Sequence, residues 1–321
     1  MKKAKKVFWI DDDPRRRRTA DDLGATFIDV HDEDVAKKAE GLLKGPQPAL
    51  VIVDHILDKT IPRGRLLQRG STIAEAIKEQ WPSCPVVGVT NVDNVEDIDL
   101  RTRGIYDALF PFQEFRRHFS RIESMRNGFS LIARTSLVSA HRLVCLLKPP
   151  TEEIGRLIDA LPNDLKKNFG DASLPSRLCR WVDRLMDRPG FLYDSLWAAT
   201  MLGLTEAGFK KVGRRFERGE YRGVFRRIDD PRWWSKNISE ALYREHKPEA
   251  GEMSWHVGRR LKGITRDHYS RCYMCGKPFP DTVAYLDKAS GERQAMHSKC
   301  TVLHPRFQRE LYFEDIRMMQ G

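Results

Sequence analysis

Long apolar runs are absent from this 321-residue chain, because no stretch approaches the ~20 consecutive apolar residues of a membrane-spanning helix. The basic start is followed only by the apolar run Val7–Ile10, shorter than the ~7 residues of a secretion signal. The 6 cysteines are too few for a disulfide scaffold. A glycine-rich phosphate loop and a nucleophile motif are also missing. We therefore expect a cytoplasmic protein that is not an enzyme and has no membrane partner.

Positive charge is concentrated in the later part of the chain. Residues 1–115 hold 18 Lys and Arg against 20 Asp and Glu, whereas residues 116–321 hold 38 against 25. A basic surface attracts polyanions, and nucleic acid is the commonest polyanion in the cytoplasm. A solvated basic face, or a surface for an acidic protein partner, fits the same charge.

Short apolar runs alternate with amphipathic stretches in the front part of the chain. The predicted strands are Val7–Ile10, Ala25–Val30, Ala49–Val53, Pro85–Val89 and Tyr106–Phe110. The predicted helices are Arg15–Leu23, Glu33–Leu43 and Thr72–Gln80. This alternation predicts an α/β fold with a parallel sheet and helices on both faces.

Acidic residues follow two of these strands. Asp11, Asp12 and Asp13 end the first strand, Asp54 ends the third, and Thr90 ends the fourth. The functional edge of such a sheet lies at the carboxyl ends of its strands, where these side chains would converge. Converging carboxylates repel one another unless a cation lies among them, and oxygen ligands of this kind suit Mg²⁺.

Five segments, in their order and spacing, resemble the receiver domain of two-component response regulators over residues 5–125. The matching segments are Val7–Pro14, Leu50–Asp54, Gly70 before an amphipathic helix, Pro85–Thr90 and Gly104–Phe112. The resemblance implies a flavodoxin-like fold with five strands. It also implies Mg²⁺ on Asp11 or Asp12 together with Asp54, a phosphoacceptor at Asp54, and a switch hydroxyl at Thr90.

Two departures from the receiver pattern suggest a degenerate domain. The family has a lysine before the proline of its fifth strand, where this chain has Phe110 before Pro111. The interval from Asp54 to Gly70 is roughly double the usual one. It includes four cations that could neutralise or cover the site: Lys59, Arg63, Arg65 and Arg69. We expect Asp54 to be phosphorylated poorly, and the domain to serve for dimerisation or docking.

Helical patterns dominate the middle of the chain. A continuous helix is predicted from Gln113 to about Leu147, ending at Pro149-Pro150. We divide the chain into a receiver-like domain at 1–125, a basic and mainly helical region at 126–268, and a zinc-binding module with its tail at 269–321.

A helix-turn-helix is predicted where Leu196–Leu204 leads into a second helix at Glu206–Arg218. Gly203 suits the turn, and Thr205 can cap the second helix. The second helix carries five cations that could contact nucleic acid: Lys210, Lys211, Arg214, Arg215 and Arg218. Any helical hairpin in a basic protein shows a similar pattern.

A cysteine and histidine cluster near the end of the chain predicts structural zinc. Cys272 and Cys275 are separated by two residues, as are His297 and Cys300. Two such pairs can complete a tetrahedral site and leave no open position for catalysis. The arrangement resembles treble-clef and LIM-type zinc modules; a thiol redox pair is the alternative.

Two functions are compatible with these features. The first is a bacterial-type regulator whose receiver-like domain controls or dimerises a basic, zinc-bearing part that binds nucleic acid. The second is a protein-docking adaptor, for example in a stress-signalling or phage-defence complex. A nuclease is disfavoured, because the basic region holds no carboxylate cluster in its sequence.

Overall fold

A computed structural model describes residues 6–30, 41, 44–57, 69–187, 190–247, 249, 252–278, 282–287, 293–297, 300 and 307–308. The predicted helix Glu33–Leu43, apart from one residue, and the cations Lys59, Arg63 and Arg65 lie outside this part of the chain. The chain divides into two compact units, residues 1–143 with 160–181 and residues 144–159 with 182–321. Over the described residues, no helix combines the length and apolarity needed to cross a membrane.

A parallel sheet forms the centre of the first unit. Its strands are β1 (Val7–Asp11), β2 (Thr26–Asp29), β3 (Leu50–Asp54), β4 (Val86–Thr90) and β5 (Ala108–Pro111). They lie in the order β2-β1-β3-β4-β5, and each neighbouring pair is parallel. This is the strand order of the flavodoxin-like fold, which confirms the predicted α/β class of the front unit.

The sequence explains why β3 occupies the middle of the sheet. Leu50, Val51, Ile52 and Val53 are fully buried, as expected for an apolar run covered on both faces. Helix α1 spans Arg17–Asp22, and helix α2 spans Gly70–Gln80. The first residue of α2 contacts the end of β3. A Cβ atom at Gly70 would lie 1.8 Å from the carbonyl oxygen of Asp54, so this close approach requires glycine.

The predicted continuous helix from Gln113 to Leu147 is wrong in one respect, because the structure interrupts it. After helix α3 (Leu100–Arg103), a 3-10 segment at Phe112–His118 leads into α4 (Phe119–Arg134), and α5 (Ala140–Cys145) is separate. The Thr135 hydroxyl donates to the carbonyl of Leu131, and the Ser139 hydroxyl oxygen accepts from the amide of Arg142. Such side chains offer the backbone partners outside a helix and favour an interruption.

Short helices and strands make up the rest of the chain. The helices are α6 (Ile154–Ala160), α7 (Asn163–Lys167), α8 (Leu174–Asp187), α9 (Ser195–Met201), α10 (Glu206–Val212), α11 (Ser235–Glu245) and α12 (Ser254–Arg259). The strands are β6 (Leu192–Tyr193), β7 (Trp233–Trp234), β8 (Thr282–Asp287), β9 (Arg293–His297) and β10 (Phe307–Gln308). Antiparallel pairs join β6 to β7 and place β8 between β10 and β9.

A buried hydrophobic cluster joins several elements of the second unit. Trp197 of α9 and Phe209 of α10 belong to the same buried cluster as Cys272, Tyr285 and Met296. The helix pair and the cysteine-bearing hairpin therefore share a core, although the sequence suggested a separate module after residue 268.

Candidate functional sites

The acid pocket forms where β1 and β3 end side by side. Asp11 and Asp54 are 0% and 2% exposed, and Asp12 is half-buried. One carboxylate oxygen from each of the three residues lies within 4.8 Å of the others. The structure thus brings together the three carboxylates that the sequence placed at this edge.

An arginine that sequence reasoning missed lies inside this pocket. The 3-10 turn at Pro14–Arg16, capped by the Asp13 carboxylate, directs Arg16 back towards β1. Its guanidinium is 2% exposed, and Nη1 lies 2.9 Å from Asp11 Oδ2 and 3.0 Å from Asp54 Oδ1. Arg16 therefore forms ion pairs with both buried carboxylates.

Further contacts fix both members of the Asp11–Arg16 pair. Arg16 Nη2 donates to Asn91 Oδ1, and the guanidinium carbon lies 4.5 Å from the centroid of the Phe112 ring. Asp11 Oδ2 also accepts from the Trp9 indole at 2.9 Å, and its Oδ1 accepts from the Asp13 amide at 2.9 Å. The pocket is thus a buried network of donors and acceptors from several segments.

Burial makes Asp11 and Asp54 weaker acids than ordinary aspartates. Burial, and then the negative charge of Asp11, raise the pKa of Asp54 to about 7, although Arg16 acts in the opposite direction. Burial likewise raises the pKa of Asp11, against the lowering effect of Arg16. One arginine therefore offsets only part of the cost of enclosing these carboxylates.

Thr90 and Phe110, two further receiver-like positions, are also buried. Thr90 is fully buried, and its hydroxyl oxygen accepts from the Val92 amide at 3.1 Å. Phe110, where the family has lysine, stacks on His118 with ring centroids 4.2 Å apart. Arg69 is exposed.

Two helices joined by a turn are present at the predicted helix-turn-helix, as α9 and α10. The Asp194 side chain accepts from the Trp197 amide and begins α9, while Thr205 accepts from the Gly208 amide and begins α10. Gly203 has a φ of +67°, a conformation that glycine adopts without strain, and its added Cβ would meet Trp255 at 2.9 Å. These observations confirm the predicted turn and cap.

The second helix is shorter than predicted, because regular α-helix ends at Val212 and a 3-10 segment continues to Gly219. Gly213 weakens the α-helix at this point.

The cations predicted to contact nucleic acid differ in their surroundings. Four of them are exposed: Lys210, Lys211, Arg214 and Arg218. Arg215 is half-buried and pairs with Glu245.

The four predicted zinc ligands converge in the second unit. The turn after Cys272 is closed by a hydrogen bond from the Gly276 amide to the Cys272 carbonyl, and His297 ends β9. The Nδ1 atom of His297 lies 3.4 Å from the sulfur of Cys275 and 3.6 Å from that of Cys300. All four ligand atoms lie within 4.8 Å of one another.

Solved structures of response regulators share partial likeness with this chain. RcsB of Salmonella typhimurium is 15% identical, with 51% of this chain and 72% of that chain covered at a TM-score of 0.30. A response regulator from Burkholderia pseudomallei is 14% identical, with 48% and 92% covered at 0.26. Full-length FixJ from B. japonicum is 17% identical, with 57% and 98% covered at 0.26. No family model and no curated protein matches the chain. The fold class of the first unit is therefore assigned from its strand order alone.

Proposed function

We propose that this protein is a non-catalytic signalling regulator, in which a degenerate receiver-like unit is joined to a basic, zinc-bearing unit that binds nucleic acid. The observation that carries the proposal is the exposed basic face of α10 and the 3-10 segment after it. In a helix-turn-helix, the second helix enters the major groove and contacts phosphates and bases. Lys210, Lys211, Arg214 and Arg218 are exposed at that place.

Arg215 contributes less to this proposed surface. Its guanidinium pairs with Glu245 and donates to the carbonyl of Lys262 at 3.3 Å. A cation already engaged by a carboxylate neutralises a phosphate less effectively. We therefore expect about four phosphate contacts from this face, which corresponds to a slope of roughly −3.6 for log affinity against log salt.

Salt-dependent binding of the full chain to duplex DNA tests the proposal. Between ~50 and ~200 mM salt, affinity should fall roughly 150-fold for four contacts and only about 12-fold when two are removed. The test variant is Lys210→Gln with Lys211→Gln. Its matched control is Arg244→Gln with Lys247→Gln, which removes two exposed cations at the end of α11 and should keep the steep slope. No binding at ~50 mM salt, or equal slopes for both variants, would contradict the nucleic-acid proposal.

A structural zinc ion is part of this proposal. Zn–S bonds of about 2.3 Å and Zn–N bonds of about 2.0 Å at tetrahedral angles put sulfur and nitrogen ligands roughly 3.5 Å apart. The sulfurs of Cys275 and Cys300 lie 3.4 and 3.6 Å from His297 Nδ1, so the residues fit the ion. Three thiolates and one imidazole form a common structural zinc set. Cys272, Cys275, His297 and Cys300 would hold the ion, which would join the turn after Cys272 to the end of β9.

The docking adaptor has one observation in its favour. Tyr273 and Met274, between the first two cysteines, are 57% and 38% exposed. Aromatic residues and methionine are enriched at protein interfaces. An unchanged interaction with a purified protein partner in the Lys210→Gln, Lys211→Gln variant, together with a loss in Tyr273→Ser, would favour the adaptor over the nucleic-acid regulator.

A further inference from the structure

The receiver resemblance implies Mg²⁺ among Asp11, Asp12 and Asp54, but the residues present do not fit that ion. We infer that Arg16 replaces the divalent cation, so that the acid pocket carries its own fixed positive charge and does not bind Mg²⁺. This inference concerns the first unit and stands whether or not the second unit binds nucleic acid.

The position of the guanidinium is the first argument. Arg16 Nη1 bridges Asp11 Oδ2 and Asp54 Oδ1, at 2.9 and 3.0 Å. A magnesium ion bound by the two residues would have to reach the carboxylates that Nη1 already connects, at about 2.1 Å from each oxygen. Since the ion and the guanidinium are both positive, they would repel one another at this short distance.

The lone pairs of Asp11 give a second argument. A carboxylate oxygen offers two lone-pair sites, and Asp11 Oδ2 already accepts from the Trp9 indole and from Arg16. The other oxygen accepts from the Asp13 amide. Protein donors thus occupy three of the four sites through which Asp11 could coordinate a metal.

Arg16 is also held too firmly to give way easily. It is 2% exposed, donates to Asn91, and lies over the Phe112 ring. An incoming ion would have to break these contacts and leave the guanidinium buried without its carboxylates. Removal of one partner from a buried ion pair is strongly destabilising. The exposed Arg15, which pairs with Asp13 in the same turn, lacks these constraints and provides a matched control.

Manganese binding, followed by electron paramagnetic resonance, and melting with ~10 mM Mg²⁺ test the inference in the full chain. Wild type, Arg15→Gln and Arg16→Lys should show no saturable binding and no Mg²⁺-dependent rise in melting temperature. Arg16→Gln should bind Mn²⁺ saturably, on the order of tenfold more tightly than the weakest binding the assay detects, because a repelling charge is gone. That gain should disappear when Asp54→Asn is added.

The inference would be overturned if wild type bound one manganese ion with a dissociation constant of ~1 mM or lower and Asp54→Asn did not bind it. A folded Arg16→Gln variant that gains no affinity would also overturn it. If Arg16→Gln does not fold, the wild-type and Asp54→Asn measurements decide the question by themselves.

Discussion

Replacement of Asp54 by asparagine should make the stability of the first unit less dependent on pH. The wild-type carboxyl has a pKa of about 7 in the folded protein because of burial and the nearby charge of Asp11, against 3.8 ordinarily. The folded state therefore keeps a proton that the unfolded state has already released. The free energy of unfolding should fall as pH rises from about 4 to about 7, and most of the loss should be complete above that range.

The size of the effect follows from the two pKa values. They differ by about 3 units, and each unit corresponds to about 1.4 kcal/mol, so wild type should lose on the order of 4 kcal/mol across this range. Asparagine resembles the protonated carboxyl and has no charge to lose. Asp54→Asn should therefore match wild type near pH 4.5 and exceed it by a few kcal/mol near pH 8.

Urea unfolding of the full chain at several pH values provides the assay. The difference between variant and wild type at each pH cancels the titration of groups that the two proteins share. Asp22→Asn is a suitable control, because Asp22 is an exposed carboxylate paired with Arg116 on the surface. This control should keep the wild-type dependence on pH.

Parallel stability curves for Asp54→Asn and wild type would refute this reasoning. So would a wild-type stability that, relative to the variant, falls as the pH drops below about 4, since that would mean that Arg16 lowers the pKa of Asp54 more than burial raises it.

Three further outcomes are expected. Elemental analysis should find one zinc ion per chain. The variant Cys275→Ser should lose this ion, and the amide hydrogens of β8 and β9 should then exchange faster with solvent. A zinc content near zero, with freely alkylated cysteines, would contradict the site. A small phosphodonor with Mg²⁺ should leave most of the protein unmodified by intact mass, whereas rapid stoichiometric modification that Asp54→Asn abolishes would restore an ordinary switch. Gly70→Ala should destabilise the first unit by about 1–3 kcal/mol by overpacking against Asp54, while Gly155→Ala, with no atom within 4 Å of the added methyl, should be tolerated. Equal stability of these two alanine variants in urea would contradict the close approach at Gly70.

The sheet was predictable because its strands carry strong local patterns. The apolar runs before Asp11 and Asp54 agree with β1 and β3 to within a residue at each end. The fifth strand was less distinct, and the structure moves it from Tyr106–Phe110 to Ala108–Pro111. Just before this strand, the Asp107 carboxylate accepts a hydrogen bond from the Val86 amide. No local sequence pattern reveals such a contact between distant parts of the chain.

The burial of Arg16 could not be predicted from helical periodicity. In a regular helix over Arg15–Leu23, the arginines would be expected to face solvent. The structure instead places a 3-10 turn before α1, and this turn directs one of the arginines inward. The sequence holds only an indirect signal for a buried arginine. Phe110 stands where the receiver family has a lysine, so the charge of the converging carboxylates has to be offset by another cation.

The cysteine cluster was predictable because ligand spacing directly reflects coordination geometry. Its association with the helix pair was not, because shared burial of Cys272 and Phe209 depends on tertiary packing. The pairing of Arg215 with Glu245 was hidden for the same reason, since the two residues lie on different elements.

The internal cation also limits how the first unit can carry information. A switch needs two arrangements of similar free energy, which a signal can interconvert. Burial opposes the charge of Arg16, but Asp11 and Asp54 outweigh it and raise the pKa of this guanidinium above its ordinary value. Arg16 therefore stays charged at physiological pH, and its departure would strand two buried carboxylates. With the pocket held in one arrangement, a signal passing through this unit would have to arrive as contact with a partner on its surface.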